Sequence, residues 1–182
     1  MAVTILMRPA RPFTQADLEQ MPDDGYRREL IDGSLIVTPA PSRRHQTVVV
    51  ELVTKLHRLC PDHLQLLIAP FDVALTEDTV LEPDLLVARR VDFTEKNLPT
   101  APVLAIEVLS PSTRRIDLTL KKARYEAAGC PSYWVVDPVR PAITAWELRD
   151  GIYVQVADIE ADEEFASELP YPVRFLPSDL VR

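Results

Sequence analysis

Short apolar runs separated by turn residues dominate this chain, and helical spacing breaks that pattern in a few places. From residue 43 to 59, His45, Val49, Leu52, Val53, Leu56 and Leu59 fall on one stripe of a helical wheel, with Glu51, Lys55 and Arg58 opposite. Ser42 is placed to cap that helix. Glu51 and Lys55 stand at i, i+4 with the acid first, so Glu51 reads as a solvated surface acid. Upstream, Thr14 caps a short helix over 15–21 that Pro22 ends. Residues 26–31 and 34–38 read as strands joined at Asp32-Gly33, a strong hairpin signal. Downstream, 65–75 and 80–88 read as strands around Thr76-Glu77-Asp78-Thr79, and 89–101 as loop. Residues 102–109 are a strongly apolar strand. Residues 115–128 form a helix ended by Gly129, with Pro131 beyond. A strand at 132–137 and a hairpin of 142–148 and 152–157 around Arg149-Asp150-Gly151 follow.

Strand, helix and strand in succession over 102–137 imply a parallel pair with a right-handed crossover. The other pairings read as antiparallel. The fold class is therefore α/β or α+β with a mixed central sheet. At 182 residues the chain makes one domain with a full core. Residues 1–12 read as an extended arm broken by Pro9 and Pro12, and 158–182 as an acidic C-terminal tail.

Composition narrows the function. The four glycines are too few and too scattered for a phosphate-cradling loop. No apolar run approaches about 18 residues, which predicts no membrane span, and the N-terminus lacks the basic leader of a signal peptide. The expectation is a cytoplasmic protein. Cys60 and Cys130 have no Cys-x-x-Cys spacing, so they read as reduced thiols, with a single disulfide as the other arrangement. A net charge of −8 argues against indiscriminate nucleic-acid affinity. The charge is uneven, however: residues 142–182 carry nine acids and three bases, whereas every basic doublet lies earlier. A local basic rim is compatible with that distribution.

Two acids interrupt apolar runs and call for compensation. Asp84 follows Pro83 at the start of a strand, and Glu107 sits near the end of its own. Were these strands neighbours, the two carboxylates would meet at one sheet edge, an oxygen donor pair suited to Mg²⁺ or Mn²⁺. The Val108 carbonyl is a candidate third ligand. Asp117, Lys121 and Tyr125 are spaced i, i+4, i+8 and share a helix face, while Lys122 lies about 100° round it. Lys121 is thus the lysine that can face the carboxylates. A metal and an ammonium group together suit phosphodiester hydrolysis. The plainer alternatives are a surface Asp117–Lys121 pair and strand-end acids facing solvent or an arginine.

Taken together, Pro83-Asp84, Ile106-Glu107-Val108-Leu109-Ser110-Pro111-Ser112-Thr113, Asp117, Lys121, Tyr125, Gly129 and Tyr133-Trp134-Val135-Val136-Asp137 resemble the Uma2 family (DUF820). Glu29-Leu30-Ile31-Asp32-Gly33 resembles its N-terminal hairpin, and Pro41 with His45 the following loop and helix start. That family resembles the PD-(D/E)xK nucleases. The resemblance implies a restriction-endonuclease-like mixed sheet flanked by helices, with added N-terminal and C-terminal hairpins. It implies a Mg²⁺- or Mn²⁺-dependent endonuclease acting on DNA, with Asp84 and Glu107 as metal ligands. It also implies an N-terminal acid, assigned to Glu29 in preference to Glu51. The nuclease pattern wants lysine two residues after the acid, and Leu109 stands there; the family's lysine has moved to the next helix, as Lys121. Asp117 and Tyr125 would support Lys121 or the phosphate. His45 reads either as a neighbour of the site or as a helix-start residue packed on the core. The rival reading is a nuclease fold that no longer cuts and serves in binding or assembly. A homodimer is expected, with Ile143, Ala145 and Trp146 of the last hairpin as apolar surface.

Overall fold

A computed structural model describes residues 5–7, 11–22 and 24–182. Of the expected N-terminal arm, Pro9 lies outside the described residues. In chain order the elements are β1 (Ile5–Met7), α1 (Gln15–Glu19), β2 (Arg27–Ile31), β3 (Ser34–Thr38), α2 (Arg43–His57), β4 (Leu64–Ile68), β5 (Asp72–Thr76), β6 (Thr79–Leu81), β7 (Leu85–Arg89), β8 (Asn97–Leu98) and β9 (Leu104–Val108). A continuous helix follows: α3 (Arg114–Ile116), a π-helical turn (Asp117–Lys121) and α4 (Lys122–Ala127). Then come β10 (Ser132–Asp137), β11 (Ala142–Arg149), β12 (Ile152–Glu160), β13 (Phe165–Ser167) and β14 (Val173–Phe175).

Two six-stranded sheets form, ordered β1-β3-β2-β6-β5-β8 and β12-β11-β10-β9-β7-β4, beside the β13–β14 pair. The architecture is mixed α+β, as expected. The β9–β10 pair is parallel, with Glu107 opposite Val135, and the helix between them makes the crossover. A short second parallel pair, β5–β8, had no sequence signal.

The two strands expected at 65–75 and 80–88 are each cut in two. Pro70 separates β4 from β5 and Pro83 separates β6 from β7, and in both cases the halves join different sheets. Proline has no N–H to continue a ladder, so the chain can change sheets there. Glu82 and Asp84 flank the second crossing and so lie where the two sheets meet.

Strand alternation then builds two cores. On β9, Leu104, Ile106 and Val108 pack with Leu52 and Leu56 of α2, Trp134 and Phe165. Ala105 and Leu109 face the other way, into a core of Ile31, Ile36, Val73 and Leu81 from the first sheet with Tyr125 from α4. Glu107 shares that second face, which aims its carboxylate between the layers.

Three expectations change. The α2 stripe runs through His45, Val48, Val49, Leu52 and Leu56, and Leu59 is half exposed beyond the helix end. Lys55 pairs with Asp179 at 3.2 Å across the fold. The segment read as an acidic tail is folded: Phe165, Tyr171, Val173, Phe175 and Leu180 are buried against α2 and the second sheet. Most of its acids are exposed ahead of Phe165, Glu168 is exposed between Phe165 and Tyr171, and Asp179 is the half-buried partner of Lys55. Ile143 and Ala145 are fully buried and Trp146 nearly so, because both faces of β11 are covered; they offer no surface for a homodimer. Cys60 and Cys130 are free thiols. Among the described residues no helix is long and apolar enough to cross a membrane.

Candidate active site

The Asp32-Gly33 turn, with φ of 51° and 67°, sets the β2–β3 register. Period-two alternation puts Arg27 and Glu29 on the same face of β2 as Ile31, toward the second sheet. Glu29 is almost fully buried. Its Oε1 accepts from the Glu82 N–H at 2.8 Å and lies 2.7 Å from Lys121 Nζ. Past Pro83, Asp84 is held on three sides. Its Oδ2 accepts from the Val108 N–H at 2.7 Å and lies 3.1 Å from His45 Nε2, while Oδ1 accepts from Arg27 Nη1 at 2.8 Å. Ser42 caps α2 by accepting from the His45 N–H, which fixes where that imidazole enters.

Lys121 comes from the π-helical turn. Asp117, Lys121 and Tyr125 are all buried on one face, so the spacing of four survives the wider turn. Lys121 Nζ lies 3.0 Å from Glu107 Oε1 and 3.7 Å from Asp117 Oδ1. The Tyr133 hydroxyl donates to the Asp117 carbonyl at 2.8 Å. Lys122 points elsewhere, its ammonium 4.6 Å from the Trp146 ring centroid.

Charge is concentrated here. Glu29, Glu82, Asp84, Glu107 and Asp117 face two permanent cations, Arg27 and Lys121. Burial alone would raise every acid. For Glu107 burial wins outright: despite Lys121, its carboxyl sits well above the usual range, with Asp117 and Asp84 adding to the rise. Burial pushes Glu82 up to about 7 and Asp117 up to about 6. At Asp84, Arg27 and His45 overcome burial and hold the carboxyl low; at Glu29, Lys121 and Arg27 do the same. Burial would strip Lys121 of its proton, but Glu107 and Glu29 reverse that and keep it charged.

Asp84, Glu107, Val108, Asp117, Lys121 and His45 line one cavity of about 310 Å³. It opens between the loop at 38–42 and the loop at 108–113, with Arg44 on its wall. Glu29 sits behind the wall on Lys121, and Tyr125 packs beneath with its ring 5.3 Å from that of Tyr133. All the expected side chains are thus within this neighbourhood. Leu109 is on the Glu107 face and lines the cavity, so a lysine there would reach the same space that Lys121 fills from the helix. Glu51 lies apart, on the outer side of α2. Two further participants, Arg27 and Glu82, stand outside the residues expected from the sequence. Arg27 belongs to one of the basic doublets, and its i, i+2 relation to Glu29 on β2 is the signal that turns it inward. Glu82 stands one residue before Pro83 and two before Asp84, at the junction of the sheets, and its carboxylate lies 3.1 Å from Arg27 Nε.

Among the described residues no set of three or more His, Cys, Asp and Glu side chains stands ready to ligate a metal ion. The carboxylates are drawn onto Arg27 and Lys121 instead. Their chemistry nevertheless fits a hard divalent cation. The donors at Asp84 and Glu107 are oxygens, negative charge is in excess, and Asp117 Oδ1 is buried without a hydrogen-bond partner.

A family model described as "Uma2: Putative restriction endonuclease" matches residues 15–177. Among solved structures, one described as a "putative nuclease belonging to DUF820 from Anabaena variabilis" superposes with a TM-score of 0.72. It is 19% identical, and the match covers 93% of this chain and 98% of that one; at such identity the likeness is one of fold. No curated protein matches.

Proposed function

The chain belongs to the Uma2 family, and from that premise we propose that it is a Mg²⁺- or Mn²⁺-dependent endonuclease that hydrolyses DNA phosphodiester bonds. The observation that carries this reading is the buried Lys121 ammonium, 3.0 Å from Glu107 and 2.7 Å from Glu29, in the cavity that Asp84 also lines. Asp84 and Glu107, with the Val108 carbonyl, would hold the ion. Such an ion polarises a phosphoryl oxygen and lowers the pKa of a bound water.

The protein's own groups do the rest. His45 and the Val108 N–H orient the Asp84 carboxylate. Glu29 anchors Lys121 from behind. Because Lys121 is held protonated, it serves as a cation and not as a general base: it stabilises charge on the pentacovalent phosphorus or orients the attacking water. Asp117 lies on the same ammonium from its own helix turn. Arg44 on the cavity wall gives the strand a phosphate partner that the net charge of −8 does not.

Cleavage of plasmid and single-stranded DNA in Mn²⁺ tests the assignment. Glu107→Gln and Lys121→Ala should each lower the rate by about 100-fold or more. Retained activity in both variants overturns it. The second reading, a non-cutting binding module, draws on the saturation of Asp84 and Glu107 by the chain's own cations. It wins if calorimetry finds no Mn²⁺ binding at roughly millimolar ion and no DNA binds at low salt.

A further inference from the structure

We propose that Arg27 is a resident cation that occupies the metal position in the metal-free chain, so that a divalent ion binds only as the guanidinium leaves. The inference rests on the metal-dependent reading above. Arg27 reaches from β2 between the two proposed ligands. Its Nη1 lies 2.8 Å from Asp84 Oδ1, and its Nη2 lies 3.8 Å from Glu107 Oε2. Glu82 at 3.1 Å from Nε and Glu29 at 3.6 Å from Nη2 complete the ring. An ion shared by Asp84 and Glu107 would sit against this guanidinium, and two cations in contact at a buried site repel strongly. The two occupants exclude one another.

The fit of Arg27 is electrostatic and geometrically poor. A guanidinium prefers paired, planar hydrogen bonds to carboxylate. Here one bond, to Asp84, has good geometry, while Nε and Nη2 are buried without a hydrogen-bond partner. Lys121 is the opposite case, with two close carboxylates and a side chain 2% exposed. Arg27 is 21% exposed and lies on the wall of the cavity, so it has space to move into. Of the two buried cations, Arg27 is the one free to leave. Lys121 stays with Glu107 and Glu29.

The test is Mn²⁺ calorimetry on the full chain for wild type, Arg27→Gln, Arg27→Lys, Asp84→Asn and, as a charge control on the same cavity, Arg44→Gln. Arg27→Gln should bind Mn²⁺ about tenfold or more tightly than wild type, with Arg27→Lys between them. Arg44→Gln should change affinity by less than about threefold, the scale of an exposed charge. Equal gains at Arg27 and Arg44, or no gain at Arg27, overturn the proposal. In that case binding abolished by Asp84→Asn keeps the metal reading while this inference alone falls. Absence of Mn²⁺ binding in every variant removes both. Should Arg27→Gln not fold, the Arg27 Nε–H resonance of wild type, assigned through Arg27→Lys, decides. It should shift in step with Mg²⁺ saturation, and a fixed resonance at saturation refutes the exchange.

Discussion

Lys121→Met removes a buried ammonium while keeping a side chain of similar length. Read from spacing alone, Asp117–Lys121 is a surface pair worth about 0.3–0.5 kcal/mol. The structure changes that magnitude. Lys121 is 1% exposed, and both of its close partners, Glu29 and Glu107, are equally buried. Breaking a buried pair by deleting one partner costs about 3–5 kcal/mol, because the remaining charge is left uncompensated. In a chain of this size that lowers Tm by roughly 6–20 °C. The loss should depend on pH. In the wild type, Lys121 and Arg27 hold Glu29 below its ordinary value of 4.5 against burial. Without the ammonium, burial raises the folded-state pKa of Glu29 and raises Glu107 further. A folded state that binds protons more tightly than the unfolded chain loses stability as pH rises through the ordinary carboxylate range. The deficit is therefore largest at about pH 8 and smaller near pH 5. Urea unfolding of the metal-free chain at both values measures it, provided the slope m is unchanged. A loss below about 1 kcal/mol at pH 8, or the same loss at both pH values, would refute the buried-pair account.

Other predictions follow from single contacts. Glu82, raised by burial to about 7 from 4.5, favours the fold below its unfolded pKa and costs up to about 3 kcal/mol as pH climbs to 7; urea midpoints for Glu82→Gln should be flatter across that window, and an unchanged slope counts against it. Gly33→Ala places a Cβ 2.4 Å from Pro12 Cβ at a φ of +67°, whereas Gly25 at +80° has nothing within 4 Å. Thermal melting should therefore show Gly33→Ala losing more than about 1 kcal/mol and more than Gly25→Ala. The Tyr125 hydroxyl is buried without a partner, so Tyr125→Phe should leave the unfolding free energy within about 1 kcal/mol of wild type or raise it; a larger loss in urea unfolding would mean that the hydroxyl is bonded.

The parts of this fold that were legible rest on local signals strong enough to survive tertiary context. Asp32-Gly33 had to turn, because both residues take positive φ. The strand, helix and strand over 102–137 had to cross over, because their periodicities are unambiguous. Lys121 could be chosen over Lys122 because it stands at i, i+4 to Asp117 and i, i−4 to Tyr125, a spacing that survives the wide turn with all three inward. What escaped was non-local. Pro70 and Pro83 announce breaks, but nothing near them says that each strand's halves join different sheets. Net charge obscured the C-terminal segment, where exposed acids cluster over 158–168 around the buried Phe165 and ahead of the buried Tyr171, Val173 and Phe175. Whether Trp146 faced water depended on what covers β11, which no local pattern encodes. Arg27 was hidden by Arg28 beside it, since a doublet looks like surface until the strand's alternation is applied.

Anomalous diffraction from crystals grown in Mn²⁺ tests the central claim most directly. The expected result is an ion contacting Asp84 and Glu107, with Lys121 Nζ still against Glu107 and Arg27 withdrawn from both ligands. An ion bound elsewhere, or none at these carboxylates in a preparation that cuts DNA with Mn²⁺, would contradict the account.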